Sequence, residues 1–303
     1  LSTLCNLRYT LQMASAYVWS AVMSARTSNE PVNGGQRVYR HSLAVRVFHW
    51  LNALCFILLL MSGLQIFNAY PRLHWGAAGY AKAPAIFEIT GSGSLQDRTS
   101  WLQVGSYRIY TSGFLGVPRE TPVEGVKNIA FPGWMTVPSG LGELGYGRGW
   151  HFLAAWIFAF NLTWYLPYVF LSGRFSASLA PTLKQLGPRA IIQDLWMHLR
   201  LRRHTGPEAA HYNLLQKFAY LGVYALLPLQ ILSGMTMSNS ALAVCPWLLD
   251  LFGGRQSART VHFIVAFLLL AFLLIHLFQV FLTGFTNHLR SMITGYHHTE
   301  EAP

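Results

Sequence analysis

Residues 261–281 read VHFIVAFLLLAFLLIHLFQVF, an apolar run interrupted by His262, His276 and Gln279. Fourteen residues separate the two histidines. That is almost four helical turns, so both imidazoles fall on nearly one face. They stand roughly 21 Å apart along the axis, against a hydrocarbon core about 30 Å thick. An ionisable residue inside a membrane helix is costly and marks function by default. Two on one face, one toward each surface, predict ligands to two stacked metal centres.

Composition agrees with a membrane setting. Of 303 residues, 52% are hydrophobic and 11% charged, where soluble domains carry about 25% charged residues. Aromatic residues are abundant, with 10 Trp, 14 Tyr and 19 Phe. They suit lipid interfaces and the walls of a porphyrin pocket alike. The formal charge of +11 is read as topology and anionic lipid, not nucleic acid, because the basic residues cluster in segments assigned to the cytoplasm. Cys5, Cys55 and Cys245 are scattered and form no C-x-x-C. This argues against covalently attached haem, zinc or an iron–sulfur cluster held by this chain.

The fold expected is an all-α membrane protein, a four-transmembrane-helix bundle with an extended periplasmic loop between helices 1 and 2. The spans are about 45–67, 150–173, 214–238 and 260–284. Pro228 interrupts the third and predicts a local kink. Gly63 and Gly234 lie near one membrane surface, where a small residue admits either a close helix or a haem edge. Arg37, Arg40 and Arg46 precede the first span. The loop 174–213 and the turn after it carry Arg174, Lys184, Arg189, Arg200, Arg202, Arg203 and Lys217 against Asp194 and Glu208. Both segments belong inside by the positive-inside rule, which places both termini in the cytoplasm.

The loop 68–149 then lies outside. It is rich in Gly, Trp, Tyr and Pro, and SYRIYTSGFLG suggests a short strand or hairpin. A small cap, a lid, a docking surface and an ordinary surface loop are all open readings. Residues 1–36 are an N-terminal extension, 37–296 the transmembrane domain and 297–303 a tail. The patch LQMASAYVWSAVM in the extension is too short to span.

Chain direction fixes the depth of each histidine. His49 starts span one near the inner surface. His151 starts span two, which runs inward, near the outer surface. In span four His262 is outer and His276 inner. His151 and His262 each lie within about one turn of their outer boundary. His49 lies about 27 Å and His276 about 24 Å below the outer ends of their spans. Two bis-histidine sites follow, each linking span four to a different neighbour, as in bundles that hold cofactors by inward side chains. The cofactors implied are two b-type haems. Zinc or copper sites gather three or four ligands at one level and fit poorly. One histidine at a membrane boundary reads as an interfacial residue, but four matched in depth do not. His41, His74, His198, His204, His211, His288, His297 and His298 are expected at the surface. Candidate propionate partners are Arg40 and Arg46 inside, and Arg148, Arg255 and Arg259 outside; each reads equally well as an interfacial anchor.

The third span opens with HYNLLQKFAYL. Asn213, Gln216 and Lys217 share one turn face at the cytoplasmic boundary. Such donors suit a quinone, whose carbonyls need hydrogen bonds and whose ring needs apolar walls. Helix capping with a snorkelling lysine accounts for them as well.

The whole set resembles the di-haem cytochrome b subunit of membrane-bound formate dehydrogenases, thiosulfate reductases and nickel–iron hydrogenases, within the bacterial cytochrome b561 group. The likeness rests on R-x-x-H-W (Arg46, His49, Trp50) and on the fourteen-residue histidine pair. YNLLQK resembles the Y-N-x-G-Q-K segment of formate dehydrogenase gamma subunits, and GFTNHLRSMITG their post-helix stretch around Met292 and Gly295. The resemblance implies electron transfer between a periplasmic metalloenzyme and quinone, with the quinone beside Asn213, Gln216 and His276. It implies no catalytic residue on this chain. Leu215 replaces the glycine of that segment, and the outer loop is longer than the family's usual connection. The loop resembles versions found with molybdopterin-dependent oxidoreductases, which makes such a subunit the expected partner, beside quinone and membrane lipid. A stand-alone b561-type quinone oxidoreductase acting on an external acceptor or superoxide is the alternative. A haem-free transporter or scaffold requires the histidine pattern to be coincidence.

Overall fold

A computed structural model describes residues 31–32, 35–79, 84–93, 96–97, 99–121, 125–138, 144–171, 187–188, 192, 194, 196 and 214–300. The chain divides into two units, Trp50–Ile275 and Leu1–His49 with His276–Pro303. Four long helices carry the apolar runs: α1 (Leu43–Ala69), α2 (Leu144–Leu171), α3 (Leu214–Thr236) and α6 (Arg255–Thr294). Two short helices, α4 (Asn239–Val244) and α5 (Leu248–Phe252), lead from α3 to α6. In lipid a backbone must satisfy its own polar groups, and a long apolar sequence does so as a helix. Among the described residues α1, α3 and α6 are long and apolar enough to cross a membrane. The helix α2 has 28 residues, contains Pro167 and exposes Trp156, Phe160 and Trp164. Pro228 is accommodated within α3.

Within Trp50–Ile275, the segment between α1 and α2 is a built cap and not an ordinary loop. Strands β3 (Arg72–Leu73), β4 (Phe87–Ser92), β5 (Thr99–Val104) and β6 (Tyr107–Tyr110) form an antiparallel meander in that order. Gly105, with φ +58°, turns β5 into β6, the left-handed conformation that a two-residue hairpin requires. A second hairpin pairs β7 (Val117–Thr121) with β8 (Gly125–Ile129). The expected strand in SYRIYTSGFLG is β6.

The cap is fastened to the helices by apolar packing and by backbone bonds. Leu64 and Phe67 of α1 pack with Leu73, Ile89, Ala130 and Phe131, and Phe263 of α6 joins them. Asn68 clamps the chain like a strand neighbour: its Nδ2 donates to the Phe131 carbonyl (2.9 Å) and its Oδ1 accepts from the Phe131 amide (2.8 Å). The first amides of a helix have no partner within it. At α6 those of Gln256 and Ser257 donate to the Gly76 carbonyl at 3.0 and 3.2 Å. Thr260 Oγ1 donates to the His74 carbonyl at 2.7 Å. The cap thus fixes the turn of α6 that precedes His262.

In the other unit, β2 (Gly35–Tyr39) pairs antiparallel with β1 (Pro31–Val32) on one side and β9 (Tyr296–Glu300) on the other. Within the segments expected as extension and tail, residues 31–32, 35–36 and 297–300 are therefore paired strands. Gly284, at φ 113°, breaks the regular geometry of α6 where the fourth span was expected to stop, and the helix resumes to Thr294. Gly295 ends it at φ 91°, and its carbonyl accepts from the amides of Arg40 (2.8 Å) and His41 (3.3 Å). A Cβ there would lie 2.9 Å from the Tyr39 ring and 3.0 Å from the His41 carbonyl, so the position requires glycine.

Candidate functional site

The four histidines come together in the two expected pairs. His151, in the second turn of α2, faces His262 of α6 with ring centroids 6.2 Å apart. His49 of α1 faces His276 of α6 at 6.4 Å. Two metal–nitrogen bonds of about 2.0 Å, each continued to an imidazole centre, put ring centroids about 6.2 Å apart. Both pairs match that span. Among the described residues no three His, Cys, Asp or Glu side chains gather at one point. Two opposed imidazoles are the donor set for a metal whose remaining positions come from a macrocycle, so these residues fit a haem.

The imidazoles of His151 and His262 have defined orientations. His151 Nδ1 lies 3.0 Å from Ser62 Oγ. His262 Nδ1 lies 3.1 Å from Ser233 Oγ and 3.0 Å from the Gln230 carbonyl. A carbonyl only accepts, so a hydrogen bond to it places the hydrogen on Nδ1 and leaves the Nε2 lone pair for a metal. The Gln230 side-chain amide reaches Nε2 of His262 at 3.1 Å. It is the group that would yield this atom to iron. Glycine lies beside each ring: a Cβ at Gly63 would meet His151 Cε1 at 3.4 Å, and one at Gly234 would meet His262 Cε1 at 3.1 Å. Of the two readings open for these glycines, both lie against an imidazole edge.

Four of the five expected arginines also contact protein groups. Arg46 Nη1 donates to the Ile293 carbonyl, while its Nε is buried without a hydrogen bond. Arg259 donates to the Tyr70 carbonyl and stacks over the Phe67 and Tyr70 rings. Arg255 donates to Asn239 Oδ1 at 2.8 Å, and Arg148 lies over the Phe152 ring. Arg40 is exposed. At the start of α3, Gln216 is half-buried and Lys217 is buried at 7% exposure, so this lysine does not snorkel to the surface. Asp194 Oδ2, itself in a helical position, accepts from the Leu215 amide at 2.8 Å, a helix-capping bond for α3. Asn213 lies outside the described residues, as do His198, His204 and His211.

The surface expectations change at His74 and His288, and His41 and His297 are half-buried as well. His74 is 2% exposed, its Nδ1 donating to the Pro84 carbonyl (3.3 Å) and its Nε2 accepting from Tyr70 Oη (3.2 Å). Its burial follows from the docking of the cap on α6. His288 lies in α6, with its ring 5.6 Å from that of His297. Sequence reasoning also passed over Ser62, Ser233 and Gln230. The available signal was the recurrence of LLLMSG (58–63) as LQILSG (229–234).

Comparison with known proteins follows the same lines. The family model of the prokaryotic cytochrome b561 matches residues 40–295. The putative protein-methionine-sulfoxide reductase subunit YedZ1 of Azospira oryzae is 29% identical over 256 residues, covering 84% of this chain and 96% of the relative. The putative cytochrome YdhU of Escherichia coli (strain K12) is 28% identical over 288 residues, covering 91% and 81% respectively. No solved structure matches the chain.

Proposed function

The chain belongs to the prokaryotic cytochrome b561 family, and from that premise we propose that it is a di-haem electron-transfer subunit working between the quinone pool and a periplasmic oxidoreductase. Membrane integration, haem binding and electron transport come with the family. The two opposed histidine pairs carry the finer reading, with centroids at 6.2 and 6.4 Å. His151 and His262 would hold the outer haem, His49 and His276 the inner one. A bound b-type haem supplies a one-electron iron couple.

The rest is the work of this chain's own residues. The Nδ1 contacts of His151 and His262 orient the rings and hold the hydrogen away from the metal-binding nitrogen. The apolar walls of α1, α2, α3 and α6 exclude water. We read α2 as the fourth span, since its Trp156, Phe160 and Trp164 face outward as lipid-facing residues do. Both termini then lie in the cytoplasm of the bacterial inner membrane, with the cap in the periplasm. Gln216 and Lys217 are proposed quinone-binding residues, together with Asn213. Arg46 and Arg259 are proposed propionate partners.

For the partner we propose a molybdopterin-dependent oxidoreductase. The name of the Azospira oryzae relative adds a substrate class, protein methionine sulfoxide. Sulfoxide reduction takes up two electrons and two protons and yields a thioether and water. Oxidation of one quinol supplies that number of each.

The test is a reduced-minus-oxidised spectrum with haem quantitation on the full chain, beside His151→Ala and His276→Ala. Two b-type haems per chain are expected, each substitution removing a different one. A single haem, or haem content insensitive to both substitutions, overturns the pairing.

A further inference from the structure

We infer that Ser62 and Ser233 are positioning residues for the two imidazoles of the outer pair, one for each, within a repeated L-x-x-x-S-G element. The inference rests on the reading of His151 and His262 as haem ligands. The element occurs as Leu58–Gly63 in α1 and Leu229–Gly234 in α3. In α1, Ser62 Oγ lies 2.5 Å from the Leu58 carbonyl and 3.0 Å from His151 Nδ1. In α3, Ser233 Oγ lies 2.7 Å from the Leu229 carbonyl and 3.1 Å from His262 Nδ1. Both serines are 0% exposed.

A hydroxyl has one hydrogen and two lone pairs. The carbonyl four residues back takes the hydrogen, so the oxygen facing the imidazole accepts from Nδ1–H. For His262 the carbonyl of the next residue, Gln230, is a second acceptor at 3.0 Å. Each imidazole is thereby held in one tautomer and one rotation. Serine in a membrane helix often bonds the carbonyl of the preceding turn. That habit accounts for the hydroxyl hydrogen alone. It does not account for the lone pair aimed at Nδ1 twice, in two helices, with glycine following each time and a different imidazole against it.

Acceptors on the far nitrogen make a ligating imidazole a stronger donor. A stronger donor favours ferric over ferrous iron and lowers the potential. Removing the hydroxyl therefore raises the potential of the outer haem and leaves the inner haem unmoved. Alanine suits a helix and fits the space of serine, so Ser62→Ala and Ser233→Ala serve as the probes. Ser62→Thr and Ser233→Thr keep the hydroxyl.

The experiment is a redox titration with low-temperature electron paramagnetic resonance of the ferric haems, on the full chain in membranes. His151→Ala identifies the outer signal. We expect both alanine variants to shift the outer potential upward and to move its low-field g value. The double variant shifts further than either single one, and the threonine variants stay near the parent. Loss of the outer haem in the alanine variants, with its return in the threonine variants, supports the same role. Two haems with unchanged potentials and g values in both alanine variants overturn it, as does haem loss in the alanine and threonine variants alike. If His151→Ala removes no haem, the ligand reading itself fails, an outcome separate from either of these.

Discussion

A methyl group added at Gly234 would lie 3.1 Å from Cε1 of His262, and one at Gly63 would lie 3.4 Å from Cε1 of His151. The first distance forces the ring to move; the second is ordinary contact. We therefore expect Gly234→Ala to lose most of the outer haem and Gly63→Ala to retain it, read as haem per chain. Alanine favours a helix over glycine by about 1 kcal/mol, so loss of haem in Gly234→Ala reports the ring and not the helix. A second case at this scale is Asn161, whose Nδ2 donates to Asn52 Oδ1 at 2.6 Å between α2 and α1. Interhelical polar bonds in membranes contribute about 1 kcal/mol. Asn161→Leu should lower the unfolding free energy by about that amount, measured by denaturant titration in detergent. The pairing of the four histidines was legible from the chain because depth follows from span direction and spacing. The orientation of each ring was not, since it depends on serines that a hydropathy reading treats as ordinary small residues.

At the scale of elements, apolar run length located the helices well: the expected spans 45–67 and 214–238 became Leu43–Ala69 and Leu214–Thr236. It failed at the ends of the chain, where 35–39 pairs with 296–300. No periodic pattern announces a strand whose partner lies some 260 residues away, because the stabilising contacts are non-local. This pairing places His41 in a crowded basic setting. Burial, and after it the positive charge of Arg40 and the neighbouring His49, His297 and His288, pushes the His41 imidazole down from 6.5 to about 4. Between those values the unfolded chain binds more protons than the folded one, so stability falls as pH is lowered from about 6.5 to 4 and levels off below. We expect the thermal midpoint to decline across that window and His41→Asn to flatten the decline. An unchanged slope in that variant would assign the effect to other groups.

At the scale of the molecule, hydropathy and charge indicated a membrane protein and an orientation, but the shape of the cap was hidden. Its aromatic and turn residues reveal strands only when their pairing is known. Among the described residues the sheet ends in β6, an edge strand with all four residues exposed. Tyr107, Ile109 and Tyr110 are 80%, 61% and 76% exposed, and Phe114 beyond them is 60% exposed. An unpaired edge carrying large apolar side chains invites another chain, and soluble faces normally guard against it with charge, proline or a bulge. Here Arg108 is the one charge on the strand, and it folds back over the Trp101 ring at 5.2 Å and bonds Gln103. Such a patch marks an interaction surface, and the periplasmic oxidoreductase of the proposed function is its expected occupant. Ile109→Asp with Tyr110→Asp puts two charges on that edge without touching the apolar residues that fasten the cap to α1 and α6. The variant should keep two haems per chain and quinol-driven haem reduction, yet lose co-purification with the partner and at least tenfold of the partner-dependent turnover, a loss of about 1.4 kcal/mol or more. Retained co-purification and turnover would move the docking surface off this edge.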